Sequence, residues 1–208
     1  MKIDIMNLPS RAFTRPDDSP DEIFYRTPRL VTHIDDAAVD AVTQVYRDVL
    51  PRDGAILDLM SSHVSHLPPE IEYSRVVGLG MNRDELAANA RLQHFVVQNL
   101  NEIQKLPFID NEFDAATICV SVQYLQKPIE VLRELRRVCR QNAPVVITFS
   151  NRCFPTKAVA IWQALDDKGH AQLVQSYLET AGWRAVRVLE LCPSHSGDPL
   201  IALVATKP

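Results

Sequence analysis

The stretch AILDLMSSHVSHLP, residues 55–68, decides the fold of this chain. Its first five residues, Ala55 to Leu59, form a short apolar run with one carboxylate, Asp58, which is typical of a buried parallel strand that leads into a turn. In α/β proteins such a turn lies at the carboxyl edge of the sheet, where nucleotide-like ligands bind. Here the turn reads Met60-Ser61-Ser62-His63 and contains no glycine. The stretch therefore predicts the architecture and leaves the activity open.

Apolar runs and helical patterns alternate on both sides of this stretch. The predicted strands are 55–59, 75–79, 94–98, 113–122, 144–149, 183–191 and 200–205. The predicted helices are 37–50, 62–67, 83–92, 128–138, 156–165 and 168–181. This alternation predicts an α/β fold: a Rossmann-like, seven-stranded, mostly parallel sheet with helices on both faces and a C-terminal antiparallel hairpin.

Composition indicates an ordinary globular chain. Of its 208 residues, 46% are hydrophobic and 23% are charged, and the net charge of −4 gives no overall attraction to nucleic acid or to an anionic membrane. Residues 1–34 are rich in Pro, Asp and Arg and lack periodicity, so we predict an N-terminal arm over 1–34 and one domain over 35–208.

Targeting and metal signals are absent from the sequence. No apolar stretch approaches the roughly 20 residues that span a bilayer, and the first residues lack the apolar core of a signal peptide, which predicts a cytoplasmic protein with no membrane partner. The four cysteines are dispersed without a CxxC pair, so neither a zinc knuckle nor a disulfide framework is predicted.

The segment LPFIDNEFDAATICVSVQYLQKPIEVLRELRRVCRQNAPVVITFSN, residues 106–151, carries the most specific pattern. It combines Leu106-Pro107-Phe108, then Asn111-x-Phe113-Asp114, then the helical run 131–138. In this pattern and in its order of elements, the chain resembles the class I S-adenosylmethionine-dependent methyltransferases over roughly residues 37–206. The resemblance implies that S-adenosylmethionine binds at the carboxyl ends of the first strands.

The resemblance implies a set of cofactor contacts, several of which differ from the family pattern. The turn from Met60 to His63 stands where the family has a glycine-rich turn. Gly80 stands where it has an acidic residue for the ribose, with Asn82 as a nearby polar substitute. The residues implied as cofactor contacts are Asp58, Met60, Ser61, Ser62, Gly80, Met81, Asn82, Asn99, Leu100, Asn101 and Ser121.

Other residues are candidates for the acceptor side, because N-terminal segments in this family often lie across the acceptor pocket. The predicted substrate contacts are Tyr25, Arg29, His33, Gln123, Tyr124, Asn151 and Arg152. His63 is the candidate general base, on the expectation that a helix over 62–67 directs it at the crevice. Together with His66 and His33 it lacks a fixed ligand spacing, so no metal site is predicted.

The predicted function is methyl transfer from S-adenosylmethionine to a small-molecule acceptor, since no separate recognition domain or basic surface is evident. The alternative is a catalytically inactive methyltransferase-fold module for binding or regulation, because disuse would remove both the glycine turn and the ribose carboxylate. A nicotinamide-dependent oxidoreductase is disfavoured because no GxGxxG follows the first strand. An open crevice around Ser61 and Gly80 would favour the enzyme.

Overall fold

A computed structural model describes residues 3–193 and 197–208. The described residues form seven strands, which are β1 (Ala55–Leu59), β2 (Arg75–Gly80), β3 (His94–Val97), β4 (Ala115–Cys119), β5 (Pro144–Phe149), β6 (Arg184–Cys192) and β7 (Leu200–Thr206). They make one sheet in the order β3-β2-β1-β4-β5-β7-β6, in which β7 runs antiparallel to both of its neighbours and the other pairs are parallel. The predicted α/β fold is confirmed. Of the turn between β6 and β7, Ser194, His195 and Ser196 lie outside the described residues.

Six α-helices within the described ranges connect or flank the strands. They are α1 (Asp21–Phe24), α2 (Asp36–Val49), α3 (Arg83–Ala88), α4 (Pro128–Val138), α5 (Ala160–Gln163) and α6 (Asp167–Thr180). Asp35 caps α2 by accepting a hydrogen bond from the Ala38 amide at 2.9 Å, and Asn82 caps α3 in the same way. Pro128 occupies the first turn of α4, where its missing amide hydrogen costs nothing. In the part of the chain that is described, no helix combines the length and apolarity needed to cross a membrane.

The core lies on both faces of the sheet, and β1 is buried on both. Ile56 packs with α2, whereas Leu57 and Leu59 pack on the opposite face with α4. Because side chains alternate along a strand, a strand covered on both faces reads as the continuous apolar run seen in the sequence. The one carboxylate of this strand, that of Asp58, is buried near its carboxyl end.

The prediction of a helix over 62–67 is wrong. The chain from residue 61 to residue 68 is irregular, and the hydroxyls of Ser61 and Ser65 both donate to a carboxylate oxygen of Asp58 at 2.6 Å. These side-chain bonds, with Pro68 and Pro69 following, favour a compact loop over a helix. The helix that begins at Arg83 also ends early, at Ala88.

The N-terminal arm crosses the carboxyl edge of the sheet. It contains two 3-10 turns, Ile5–Asn7 and Ser10–Phe13, followed by the single-turn helix α1. Backbone hydrogen bonds join Asp17 to Thr156 and Ala160 to Thr14, which ties the arm to the segment after β5. The arm therefore covers the edge at which the predicted site lies.

Candidate functional site

A cavity of about 310 Å³ opens at the carboxyl ends of β1, β2, β3 and β4, beneath the N-terminal arm. This volume is at the lower end of the range for small-molecule sites. Among the predicted cofactor contacts, the cavity is lined by Met60, Ser61, Ser62, Gly80, Met81, Asn99, Leu100, Asn101 and Ser121. Among the predicted substrate contacts, it is lined by Tyr25, Arg29, His33, Tyr124 and Arg152. The strand ends thus bring most of the predicted residues to one place.

Five predicted site residues do not line the cavity, and four of them have other surroundings that the structure shows. Asp58 is buried beneath the turn, and Gln123 is buried with its amide donating to the Val120 carbonyl at 2.9 Å. Asn82 caps α3, and Asn151 is exposed to solvent. His63 is the fifth: the expected helix is absent, and its Nδ1 is buried with no hydrogen-bond partner among the described residues.

The turn after β1 keeps a left-handed conformation without glycine. Met60 has φ of 59°, a region that residues with a side chain rarely adopt, and the Ser61 amide donates to the Leu79 carbonyl of β2 at 2.9 Å. Asp58 accepts hydrogen bonds from Ser61, Ser65 and Thr117 in a fully buried place. Burial raises the pKa of Asp58, and these three hydroxyl donors oppose the rise.

Gly80 has no space for a side chain. A Cβ atom at this position would overlap the Ser61 carbonyl oxygen, so the acidic residue that the family places here is excluded by the backbone of the turn. A different carboxylate lines the same part of the cavity: Glu85 of α3 accepts hydrogen bonds from the Ser62 hydroxyl and the Arg29 amide, each at 2.7 Å. Position 80 is therefore a glycine for a steric reason.

The asparagines near β2 and β3 bind the arm. Asn82 donates to the Tyr25 and Arg26 carbonyls at 2.8 and 3.1 Å. Asn99 donates to Glu22 at 2.9 Å. The Asn101 amide donates to a carboxylate oxygen of Asp21 at 3.0 Å and to the Tyr124 carbonyl at 3.1 Å. Both donor hydrogens of Asn101 are thus engaged within the chain.

A buried ionic network holds the same part of the arm. The Arg15 guanidinium donates to both carboxylate oxygens of Asp21, at 2.7 and 2.9 Å. The Lys157 ammonium, 0% exposed, lies 3.4 Å from Asp21 and 3.2 Å from Asp17. Buried charges of opposite sign therefore compensate one another beside the cavity.

Aromatic rings and two unpartnered polar groups occupy the other end of the cavity, near β4 and β5. The Tyr124 and Phe154 rings stack with centroids 5.9 Å apart. The Tyr124 hydroxyl oxygen accepts a hydrogen bond from the Phe154 amide at 2.9 Å, and burial raises the pKa of Tyr124 to about 12, so the phenol is neutral. The Ser121 hydroxyl and Nη1 of Arg29 are buried and have no hydrogen-bond partner among the described residues.

Two other titratable groups bear on the chemistry of the site. Burial lowers the pKa of His33, which lines the cavity, so its imidazole is neutral at pH 7. Burial also raises the pKa of Cys119 to about 12, so this lining thiol is not a thiolate nucleophile. Within residues 3–193 and 197–208, no cluster of three or more His, Cys, Asp or Glu side chains is suited to hold a metal ion.

Sequence reasoning missed three important lining residues, which are Asp21, Glu85 and Phe154. Glu85 follows the cap Asn82 by three positions, a spacing typical of the start of a helix. The sequence pattern therefore indicates a capping role for Glu85 and does not indicate that it lines the cavity. Asp21 lies in the N-terminal arm, far along the chain from the strand ends, and no local pattern in the sequence marks it. Phe154 follows the end of β5 closely. Its position beside the predicted contacts Asn151 and Arg152 is the available signal.

The family model for the methyltransferase domain matches residues 59–147, which run from the end of β1 to β5. No curated protein sequence matches the chain significantly. Together with the fold, the match confirms the resemblance of this chain to the class I S-adenosylmethionine-dependent methyltransferase family.

Solved structures share this fold at low sequence identity. A SAM-dependent methyltransferase from Aquifex aeolicus is 19% identical, with a TM-score of 0.61 over 83% of this chain and 92% of that one. The 4+2 cyclase SpnF is 16% identical, with a TM-score of 0.60 over 81% of each chain. Phosphoethanolamine N-methyltransferase 2 from Haemonchus contortus, in complex with S-adenosyl-L-methionine, is 12% identical, with a TM-score of 0.60 over 81% of this chain and 52% of that one. These likenesses establish the fold alone.

Proposed function

We propose that this protein binds S-adenosylmethionine in the cavity and transfers its methyl group to a small-molecule acceptor. The observation that carries this proposal is the left-handed turn at Met60, which leaves a cavity of about 310 Å³ at the carboxyl edge although glycine is absent. Strained backbone of this kind is concentrated at functional sites. The cytoplasmic location stays a prediction.

Glu85 is our candidate for the ribose contact that the family takes from the end of β2. Each of its carboxylate oxygens accepts one hydrogen bond from the chain, from the Arg29 amide and from the Ser62 hydroxyl. A carboxylate has about four acceptor sites, so two remain for ribose hydroxyls. Leu79 and Leu100 line the same cavity and supply apolar surface for an adenine ring.

Methyl transfer requires little from the protein beyond the placement of the acceptor against the cofactor. The cofactor's sulfonium supplies an activated methyl group, and the protein must align a nucleophile with it and exclude water. The N-terminal arm covers the cavity and would exclude water. His33 lines the cavity as a neutral imidazole and is our candidate for the proton acceptor, in place of His63.

The alternative is a binding or regulatory module that uses no cofactor. It is favoured by one observation: the side-chain donors of Asn82, Asn99 and Asn101 are directed to the arm. A neighbour named a cyclase indicates that the fold accommodates other activities. The two candidates differ in whether the cavity binds the cofactor.

Calorimetric titration with S-adenosylmethionine and S-adenosylhomocysteine tests the proposal. We expect micromolar binding that becomes tighter in Met60→Gly, which retains the left-handed turn and removes a side chain from the cavity wall. Ser61→Leu should abolish binding by filling the cavity. Ser65→Ala is the matched control, because Ser65 makes the same hydrogen bond to Asp58 without lining the cavity. Absence of both heat and thermal stabilisation at millimolar ligand would refute the methyltransferase and favour the alternative.

A further inference from the structure

Arg29 is a cation of the arm that has no described counter-ion. Its Nη2 donates to the Phe24 carbonyl at 3.0 Å, and its backbone amide donates to Glu85. Its Nη1 is buried and has no hydrogen-bond partner among the described residues. A buried donor without a partner loses its hydration and gains nothing in return, so it requires an explanation.

The other cations around the cavity have partners. Lys157 and Arg15 share Asp21 within the buried network, and Arg152 donates to an Asp198 carboxylate oxygen at 2.6 Å. Arg29 lines the cavity and makes no ion pair with any residue in the described ranges. Among the described residues, Arg29 is therefore a cavity-lining cation without an ion pair, whereas Arg152, Arg15 and Lys157 are paired.

Aromatic rings fix the guanidinium in place. Its central carbon lies 4.6 Å from the Phe24 ring centroid, 5.1 Å from that of Phe154 and 5.9 Å from that of Tyr25. Such cation–π contacts orient the planar group without using its N–H donors. The guanidinium is thus held ready for a ligand at the β4–β5 side of the cavity, where Phe154 and Tyr124 also lie.

We propose that the acceptor is a small carboxylate and that Arg29 binds its carboxylate group, with Phe154 and Tyr124 packing on its apolar part. This inference rests on the proposed function, because it assigns the acceptor of that same site. A planar guanidinium matches a carboxylate in a bidentate arrangement. A dianionic phosphate fits less well, because Glu85 and Asp21 also line the cavity and, among the described lining residues, Arg29 is the one arginine without an ion pair. Because Nη1 is excluded from bulk solvent, its hydrogen-bond partner would be a ligand carboxylate enclosed in the cavity beneath the arm.

Matched pairs of ligands test the charge requirement. Benzoate and benzamide, phenylacetate and phenylacetamide, and hexanoate and hexanamide would each be titrated into the protein saturated with S-adenosylhomocysteine. We expect at least one carboxylate to bind about tenfold more tightly than its amide, the effect of one charge-assisted hydrogen-bonded pair. The preference should vanish in Arg29→Gln and persist, reduced, in Arg29→Lys, which keeps the charge and loses the planar fork.

Arg26→Gln is the matched control, because Arg26 lies on the same arm, is exposed and does not line the cavity. It should leave the carboxylate preference unchanged. The inference is overturned if no carboxylate is preferred over its amide, or if Arg29→Gln retains the preference. It is also overturned if Arg29→Gln weakens S-adenosylhomocysteine but not 5′-methylthioadenosine, because Arg29 would then bind the cofactor's own carboxylate.

Failure of the proposed function gives a different pattern. If the wild-type protein binds neither S-adenosylmethionine nor S-adenosylhomocysteine, the same ligand pairs are titrated into the unliganded protein. If the unliganded protein then prefers carboxylates, and the preference depends on Arg29, the carboxylate site stands and the proposed methyl transfer does not. Loss of the preference in that experiment would remove both proposals.

Discussion

The two ends of the cavity differ in how far the chain satisfies its own polar groups. At the β2–β3 end, formed by Asn82, Glu85, Asn99 and Asn101, every one of these side chains makes a hydrogen bond within the chain. At the β4–β5 end, the Ser121 hydroxyl and Nη1 of Arg29 make none with described residues. The first end holds the arm, whereas the second retains donors for a ligand.

This difference indicates a structural role for the residues that depart from the family pattern. The resemblance implies that polar side chains bind the cofactor in this region, and in this chain Asn82, Asn99 and Asn101 donate hydrogen bonds to the arm. A hydrogen bond within the chain has a modest net value, but a buried donor without a partner is costly. Groups that remain unpaired are therefore stronger indicators of a ligand than groups that merely line the cavity.

The largest expected effect comes from breaking the ionic network that fastens the arm. Asp21→Asn leaves the buried cations Arg15 and Lys157 short of negative charge, so the free energy of unfolding should fall by about 3 kcal/mol. Urea unfolding measures the change. Asp18→Asn, at an exposed position on the same arm, should change it by less than about 0.5 kcal/mol. Similar losses in both variants would show that the network does not hold the arm.

A second substitution tests the steric exclusion at the β2–β3 end. Gly80→Ala places a methyl group against the Ser61 carbonyl oxygen, so the turn must move, and we expect a loss of about 2 kcal/mol together with the loss of S-adenosylhomocysteine binding. Gly78→Ala is its control on the same strand, because its methyl group meets the flexible Leu92 side chain instead. Unfolding and calorimetry should show the smaller loss, with binding retained, for Gly78→Ala. Equal behaviour of the two variants would contradict this account.

A pair of substitutions at Asn82 separates its two roles. Asn82→Asp keeps the acceptor that caps α3 and loses the donors to the Tyr25 and Arg26 carbonyls, so cleavage by trypsin after Arg26 should accelerate by about tenfold. Asn82→Ala also loses the cap and should lower the free energy of unfolding by about 1 kcal/mol more. Unchanged proteolysis in Asn82→Asp would mean that these bonds do not fasten the arm.

The fold could be predicted from sequence because its signals are local. The apolar run at β1 and the stripe of α4 report burial directly, and strand order follows from alternation and from the resemblance to a known family. The helix expected over 62–67 could not be excluded in this way. Its alternative depends on Asp58, which also accepts a hydrogen bond from Thr117, 59 residues further along the chain.

The candidate site could be predicted only as a location. Strand ends mark which residues line the cavity, but they do not reveal which of those residues are already engaged. Asn101 and Asp21 are 80 positions apart in sequence, and Asn82 and Arg26 are 56 apart. Contacts of this range depend on the path of the arm, and the arm has no periodicity from which to infer it.

The smallest expected effect is the pH dependence of carboxylate affinity, which tests the charge at the β4–β5 end. Burial lowers the pKa of His33, and Arg29 and His63 lower it further, whereas Glu85 opposes them. The imidazole is therefore neutral at pH 7, and Arg29 alone supplies positive charge to a bound carboxylate. Affinity for the preferred carboxylate should be constant between about pH 7 and 8.5. It should rise, by about threefold, only below about pH 6.5, as His33 gains a proton and adds a second cation.

Titration of the carboxylate at several pH values, with the wild-type protein and with His33→Gln, checks this expectation. The variant should show no rise on acidification, because it has no imidazole at this position to protonate. A rise that persists in His33→Gln would assign the effect to another group. A fall in affinity between pH 7 and 8.5 in the wild-type protein alone would mean that His33 is charged near neutrality. In that case the β4–β5 end would hold two cations, and a phosphate would fit it better than a carboxylate.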